Sequence, residues 1–209
     1  MNVDFASVAT IPLPENTEAL IIRPAPPRER FSDAEFAEYC AQYPELRIEM
    51  NSEGDMIIML PVVSEGGRRN FLLTSRFGAW VEADGGGVGF DSSAGFTLPN
   101  GAMRAPDVSW IRRDRWEALS EDQRNDFAPI CPDFVVEMRS KSDRLSTLQA
   151  KMEEYISNGA QLGWLLDPLQ HKVHHYRPHQ PVESLDDPSQ ISGKPLLKGF
   201  VLRLDGILD

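Results

Sequence analysis

The sequence predicts a mixed α/β (α+β) fold: a central mixed sheet flanked by helices, with an N-terminal helix-hairpin and a C-terminal β extension. Three observations point there. Phe134-Val135-Val136-Glu137-Met138 is almost continuously apolar and β-branched, the pattern of a central strand covered on both faces. Phe71, Leu72, Ser75, Phe77, Gly78, Trp80 and Val81 mark a long amphipathic helix that opens near Ser64 and stops before Gly85-Gly86-Gly87. Helical and strand patterns then alternate toward the C-terminus with no internal repeat. A chain of 209 residues, 41% of them hydrophobic, suits one domain over residues 1–209 with a sizeable core.

Taken in order, residues 1–28 carry Pro12, Pro14, Pro24, Pro26 and Pro27 without sustained periodicity, and read as an arm laid over the domain. Ser32 followed by Glu35 is a capping-box pattern, so a short helix is expected from Asp33 to Gln42. Leu46 to Glu49 and Met56 to Leu60 read as a hairpin turned at Asn51–Asp55, where Gly54 supplies backbone freedom. After the long helix, Val88 to Phe90 and Gly95 to Leu98 are short strands, and Asn100-Gly101 turns the chain into one strand from Arg104 to Ile111. Residues 113–125 read as a surface helical excursion. The central strand is followed by a helix from about Asp143, with Leu148, Met152, Tyr155 and Ile156 inward and Gly159 as its stop. Leu162 to Leu166 and Val173 to Arg177 are the next strands, joined at Asp167-Pro168. A final strand pair is expected near Leu196 to Leu204.

A formal net charge of −11 argues against a broad basic face, so any nucleic acid would be met through a local patch. The local basic groups are Arg68 and Arg69; Arg112, Arg113 and Arg115; and Lys141 and Arg144. Residues near the N-terminus lack the pattern of a secretory leader, and no apolar run approaches a membrane span, so a cytoplasmic protein without membrane contact is expected. Cys40 and Cys131 suit reduced, structural thiols.

The chemistry centres on carboxylates in buried strands. On the strand from Phe134, Val135, Glu137 and Arg139 share one face, and an ionised Glu137 there would cost several kcal/mol without a cation or hydrogen-bond partner. A salt bridge to Arg139 is the plain structural explanation. Asp107 raises the same question at the start of a strand whose Val108, Trp110 and Ile111 are core. Two such carboxylates on adjacent strands would suit an oxygen-preferring cation. Lys151 borders the apolar stripe of its helix and either reaches the sheet edge or snorkels to water. Glu65 is a further acid, although glutamate in a first helical turn is favoured by the helix dipole alone; Glu49 is a weaker candidate. His174 and His175 point to opposite faces of a strand, which argues against a zinc site with His171 and His179. Gly85-Gly86-Gly87 lacks the lysine and hydroxyl of a phosphate-binding loop, and no serine sits in a nucleophile-elbow pattern.

A Pro-Asp strand, a second strand with an inward glutamate some thirty positions on, and a nearby lysine together resemble the PD-(D/E)XK restriction-endonuclease-like superfamily. Within it, Leu46-Arg47-Ile48-Glu49, Phe90-Asp91-Ser92-Ser93, Leu98-Pro99-Asn100-Gly101-Ala102, Ala105-Pro106-Asp107, Cys131-Pro132-Asp133-Phe134-Val135-Val136-Glu137, Leu148-Gln149-Ala150-Lys151-Met152 and Gly163-Trp164-Leu165-Leu166-Asp167-Pro168 resemble the Uma family of bacterial endonucleases. The similarity runs from about residue 30 to the end. One position departs: Arg139 stands where the superfamily pattern has lysine, and the resemblance implies that Lys151 of the following helix takes that place. It further implies a restriction-endonuclease-like core and a DNA endonuclease dependent on Mg²⁺ or Mn²⁺. Its catalytic residues would be Asp107, Glu137, Lys151 and Glu65, with Asp107, Glu137, Glu65 and the Met138 carbonyl as metal ligands. DNA is the implied partner, a homodimer is left open, and the alternative is a catalytically silent nuclease-fold protein acting as a binding or regulatory module.

Overall fold

The computed structural model describes residues 19–25, 27, 29–59 and 63–209. It begins with β1 (Ala19–Ile22), a helix α1 (Asp33–Gln42) and the hairpin β2 (Arg47–Met50) and β3 (Met56–Met59). The expected capping box closes α1: the Ser32 hydroxyl accepts from Glu35 N, and the Glu35 carboxylate accepts from Ser32 N. The expected hairpin forms too, with Gly54 at φ 82°, a conformation that L side chains rarely adopt. Leu60, expected to end its second strand, lies outside the described residues. So does most of the expected arm; within it, Ala19–Ile22 forms a strand paired antiparallel with β3, which corrects the expectation of irregular chain there.

The long helix is α2 (Ser64–Asp84), and Gly85 ends it in the left-handed conformation at φ 64°. Next come β4 (Gly87–Asp91), β5 (Phe96–Thr97), β6 (Met103–Arg104) and β7 (Val108–Arg112), then two short helices, α3 (Arg113–Glu117) and α4 (Glu121–Arg124). The central strand is β8 (Phe134–Met138), followed by α5 (Leu145–Ser157), β9 (Leu162–Asp167), β10 (Lys172–Tyr176), β11 (Glu183–Asp186), β12 (Gln190–Ser192) and β13 (Val201–Arg203). The expected strand from Arg104 to Ile111 is two strands in two sheets. Pro106 offers no N–H to a ladder, and the chain crosses between sheets at that point. The final strand pair also differs from expectation, being β12 with β13; residues 194–199 between them form turns.

A six-stranded sheet runs β11-β10-β9-β8-β7-β4, parallel only between β8 and β9, where α5 makes the crossover. This is the mixed sheet the sequence predicts. Leu73 and Phe77 of α2 pack with Phe134, Val136, Trp110 and Trp164 on one face. Leu148, Met152 and Tyr155 of α5 pack with Val135, Ile111 and Leu165 on the other, so β8 is covered on both faces. A second, five-stranded sheet runs β1-β3-β2-β6-β5 over a smaller core around Phe36, Met50 and Met103. Among the described residues no helix is long and apolar enough to cross a membrane.

Candidate active site

Strand register brings the two predicted carboxylates together. Val108 pairs with Val136 across β7 and β8, so the next antiparallel step sets Asp107 beside Glu137. Both lie on the face covered by α5, because each is one residue from a side chain of the opposite core. Asp107, just past the proline that frees the chain from the ladder, accepts a hydrogen bond from Met138 N at 2.9 Å. Its second oxygen lies 3.7 Å from Arg47. Glu137 is 4% exposed.

The third predicted residue joins them. Lys151 places its ammonium 2.8 Å from Glu137 and 2.7 Å from Glu49, so it reaches the sheet edge rather than water. The Tyr155 hydroxyl donates to Glu137 at 3.0 Å. Glu49 projects from β2 of the other sheet and also accepts from Arg104 (3.1 Å) and the backbone N–H of Ala105 (3.1 Å). Arg104 donates in turn to Glu154 of α5 at 2.6 Å. Glu49, Arg104, Asp107, Glu137, Lys151 and Glu154 line a cavity of about 420 Å³, together with Arg47, Met59, Ser140 and Asp143.

The electrostatics separate the three carboxylates. Burial pushes the Glu137 carboxyl up to about 7; Lys151 draws it down, and Asp107 and Glu49 push it back up. Burial also raises Asp107, with Arg47 and the Met138 N–H opposing. Glu49 is equally buried, yet the charges of Lys151 and Arg104 overcome that and bring it down to about 2. Burial would lower Lys151, but Glu137 and Glu49 outweigh it and hold the ammonium protonated.

Two assignments from the sequence are corrected. Glu65 does not join the group: its half-exposed carboxylate is bound by Arg68 at 2.7 Å and Arg69 at 3.4 Å, and it does not line the cavity. A glutamate in a first helical turn is satisfied by the dipole and its own i+3 and i+4 arginines. Arg139 does not pair with Glu137. It lies beyond the last residue of β8, where strand alternation no longer directs it, and donates to buried Asp167 at 2.9 Å and to the Asp143 carbonyl at 3.2 Å. Arg104, Glu154 and Tyr155 are site residues that the sequence reading did not assign; Glu154 follows Lys151 by three positions on α5, the one local sign of a shared face.

Among the described residues no three His, Cys, Asp or Glu side chains stand close enough together to hold a metal ion. The ammonium of Lys151 lies between Glu49 and Glu137. The donor chemistry of Asp107 and Glu137 nevertheless fits a hard cation, since both are oxygen donors and both are carboxyls that burial holds above their ordinary range. The histidines keep the expected geometry: His174 meets Ser184 at 2.8 Å on one face and His175 approaches Glu183 at 3.6 Å on the other. The basic groups are largely paired, Arg112 with Asp114, Arg113 with Glu117 and Arg115 with Asp133. Exposed Lys141 lies in the Ser140–Asp143 turn at the cavity wall.

Comparison with known proteins shows the family and the fold. No curated protein matches the chain. A solved structure similar to it is "a putative nuclease belonging to DUF820" from Anabaena variabilis, with a TM-score of 0.65 and 21% identity over 78% of this chain and 90% of that one; at this identity the likeness shows the fold. A family model covers residues 33–205, which include Asp107, Glu137, Lys151 and Glu49. The chain therefore belongs to the Uma2 family, described as "Putative restriction endonuclease".

Proposed function

We propose that this protein is a divalent-cation-dependent endonuclease that hydrolyses DNA phosphodiester bonds. The observation that carries the reading is the convergence of Asp107, Glu137 and Lys151, from two adjacent strands and the crossover helix, on one cavity in a chain of this family. Asp107 and Glu137, with the Met138 carbonyl, would hold Mg²⁺ or Mn²⁺. When bound, the cation would polarise the scissile phosphate and lower the pKa of an attacking water.

The chain's own residues supply the rest. Lys151 is held as an ammonium by two carboxylates, so it acts as a hydrogen-bond donor that orients the water and offsets charge on the phosphoryl oxygens, and not as a base. Water oxygen forms the new P–O bond as its proton passes to bulk solvent, and the P–O bond to the departing sugar oxygen breaks, that oxygen taking a proton from solvent. Glu137 and Asp107 repel each other while both are ionised, a repulsion that a bound cation would relieve. Arg139 braces the end of β9 through Asp167. Glu65 has no part in this reading. A second reading, a silent nuclease-fold binding module, is favoured by the closed Glu49–Lys151–Glu137 bridge.

Incubation of the purified protein with supercoiled plasmid and Mg²⁺ or Mn²⁺ separates the two. Nicking or cutting is expected in the wild type and reduced by about a hundredfold or more in Asp107→Ala and Glu137→Ala. No cleavage above those variants, over linear, supercoiled and single-stranded DNA, overturns the endonuclease reading.

A further inference from the structure

We infer that Glu49, from a sheet that contributes none of the proposed cation ligands, is the positioning residue that keeps Lys151 in the site when a cation engages Glu137. The inference rests on the reading of Asp107 and Glu137 as cation ligands. Lys151 has two anionic partners, Glu137 at 2.8 Å and Glu49 at 2.7 Å. A divalent cation at Glu137 would bring a like charge beside the ammonium and draw on the same oxygens. With Glu137 as its only partner, Lys151 would compete with the cation for that carboxylate, and one of the two would be excluded. A second carboxylate removes the competition by holding the ammonium from the other side.

Glu49 is built for that task rather than for ligation. Its Oε2 accepts from Arg104 at 3.1 Å, and its Oε1 accepts from Ala105 N at 3.1 Å as well as from Lys151. Arg104 is itself fixed to Glu154, one helical turn beyond Lys151 on α5. Charges therefore alternate along Glu137, Lys151, Glu49, Arg104 and Glu154, beginning at β8 and ending on the helix that carries the lysine. Glu49 is 4% exposed, so rotation out to water would cost its buried cations their anion. It stays where it is while Glu137 changes partner.

The test is a double-mutant cycle on Mn²⁺ or Mg²⁺ affinity, measured by calorimetry on the full chain, with Glu49→Gln and Lys151→Met alone and combined. Glu49→Gln leaves the ammonium to Glu137 alone and is expected to weaken cation binding by about tenfold. In the Lys151→Met background the same change should alter affinity by less than about twofold, because the competitor is gone. Lys151→Gln serves as the background if Lys151→Met fails to fold. An equal fall in both backgrounds makes Glu49 a ligand and overturns the inference, as does an unchanged affinity in Glu49→Gln alone. Failure of the wild type to bind either cation overturns the parent reading and this one with it. On plasmid DNA, Glu49→Gln should lower kcat with KM unchanged; a raised KM at unchanged kcat would assign Glu49 to substrate binding instead.

Discussion

Replacing Glu137 with glutamine should stabilise the protein, and the gain should grow with pH. The carboxyl is pushed up to about 7 from an ordinary 4.5, first by burial and then by Asp107 and Glu49, against the pull of Lys151. Because the folded value lies above the unfolded one, the folded chain keeps its proton where the unfolded chain has lost it. The group's contribution to stability is thus full below about 4.5 and is lost as pH rises through about 7. At about 1.4 kcal/mol per pH unit, the ionised carboxylate costs the fold on the order of 3 kcal/mol at pH 8. Glutamine removes that charge at nearly constant shape. Its carbonyl accepts from Tyr155 or Lys151, and its amide can donate to a neighbouring carboxylate. The weaker bond to Lys151 returns about 1 kcal/mol, leaving a gain of about 2 kcal/mol. For a chain of this size that raises Tm by roughly 4–8 °C at pH 8, and by less than about 2 °C at pH 5, where Glu137 is already protonated. Thermal melts followed by circular dichroism, in chelator and from pH 5 to 9, read this directly. A variant that melts below the wild type at pH 8, or a difference that does not vary with pH, refutes the reasoning.

Other changes test the frame around the site. Arg139→Ala leaves Asp167, which is fully buried, without its cation; the bonds from Leu169 N and Gln170 N remain, and a loss of about 2–3 kcal/mol is expected in urea denaturation. Gly87→Ala would drive a methyl group into the Trp110 ring and the Ile111 carbonyl, so β4 must shift and about 1–3 kcal/mol is lost; an unchanged urea midpoint would contradict the packing. Glu49 has the opposite pH signature to Glu137: its carboxyl is down at about 2, so the stability it contributes is present above about 4.5 and lost as pH falls toward 2. Glu49→Gln should flatten that acid limb in a circular-dichroism titration, while an acid transition as steep as the wild type's would show that other groups set it.

The carboxylate of Glu137 was legible because it interrupts a run that is otherwise all core, and Lys151 because helical spacing puts it at the edge of a clear apolar stripe. Helix ends were legible at Ser32 and Gly85, where one side chain or one backbone conformation decides the matter. Partners were not. Two residues along a strand share a face, so Arg139 read as a partner for Glu137; but β8 ends at Met138, and Arg139 follows the chain to Leu166, where its N–H donates to the carbonyl at 2.8 Å. Strands β1 and β11 escaped notice for a related reason. Each has four residues, the first follows a proline-bearing stretch, and the second is mostly polar and lies between Pro181 and Pro188, as an edge strand permits.

Glu49 shows most clearly what local pattern leaves out. In Arg47-Ile48-Glu49-Met50 the apolar residues alternate with charged ones, which is how a strand with one solvated face reads. Packing of this second sheet against the site buries Glu49, while Arg47 on the same face stays exposed, and that placement follows from the break at Pro106. An unbroken strand from Arg104 to Ile111 would have kept Arg104 and Asp107 in one ladder. Instead β6 ends at Arg104 beside β2, and β7 begins at Val108 beside β8, with three residues between them. Arg104 and the Ala105 N–H therefore hold Glu49 of one sheet, while Asp107 holds the Met138 N–H of the other. A proline that reads as a mere feature of a motif is, in the folded chain, the crossing that brings a carboxylate from each sheet to opposite sides of Lys151.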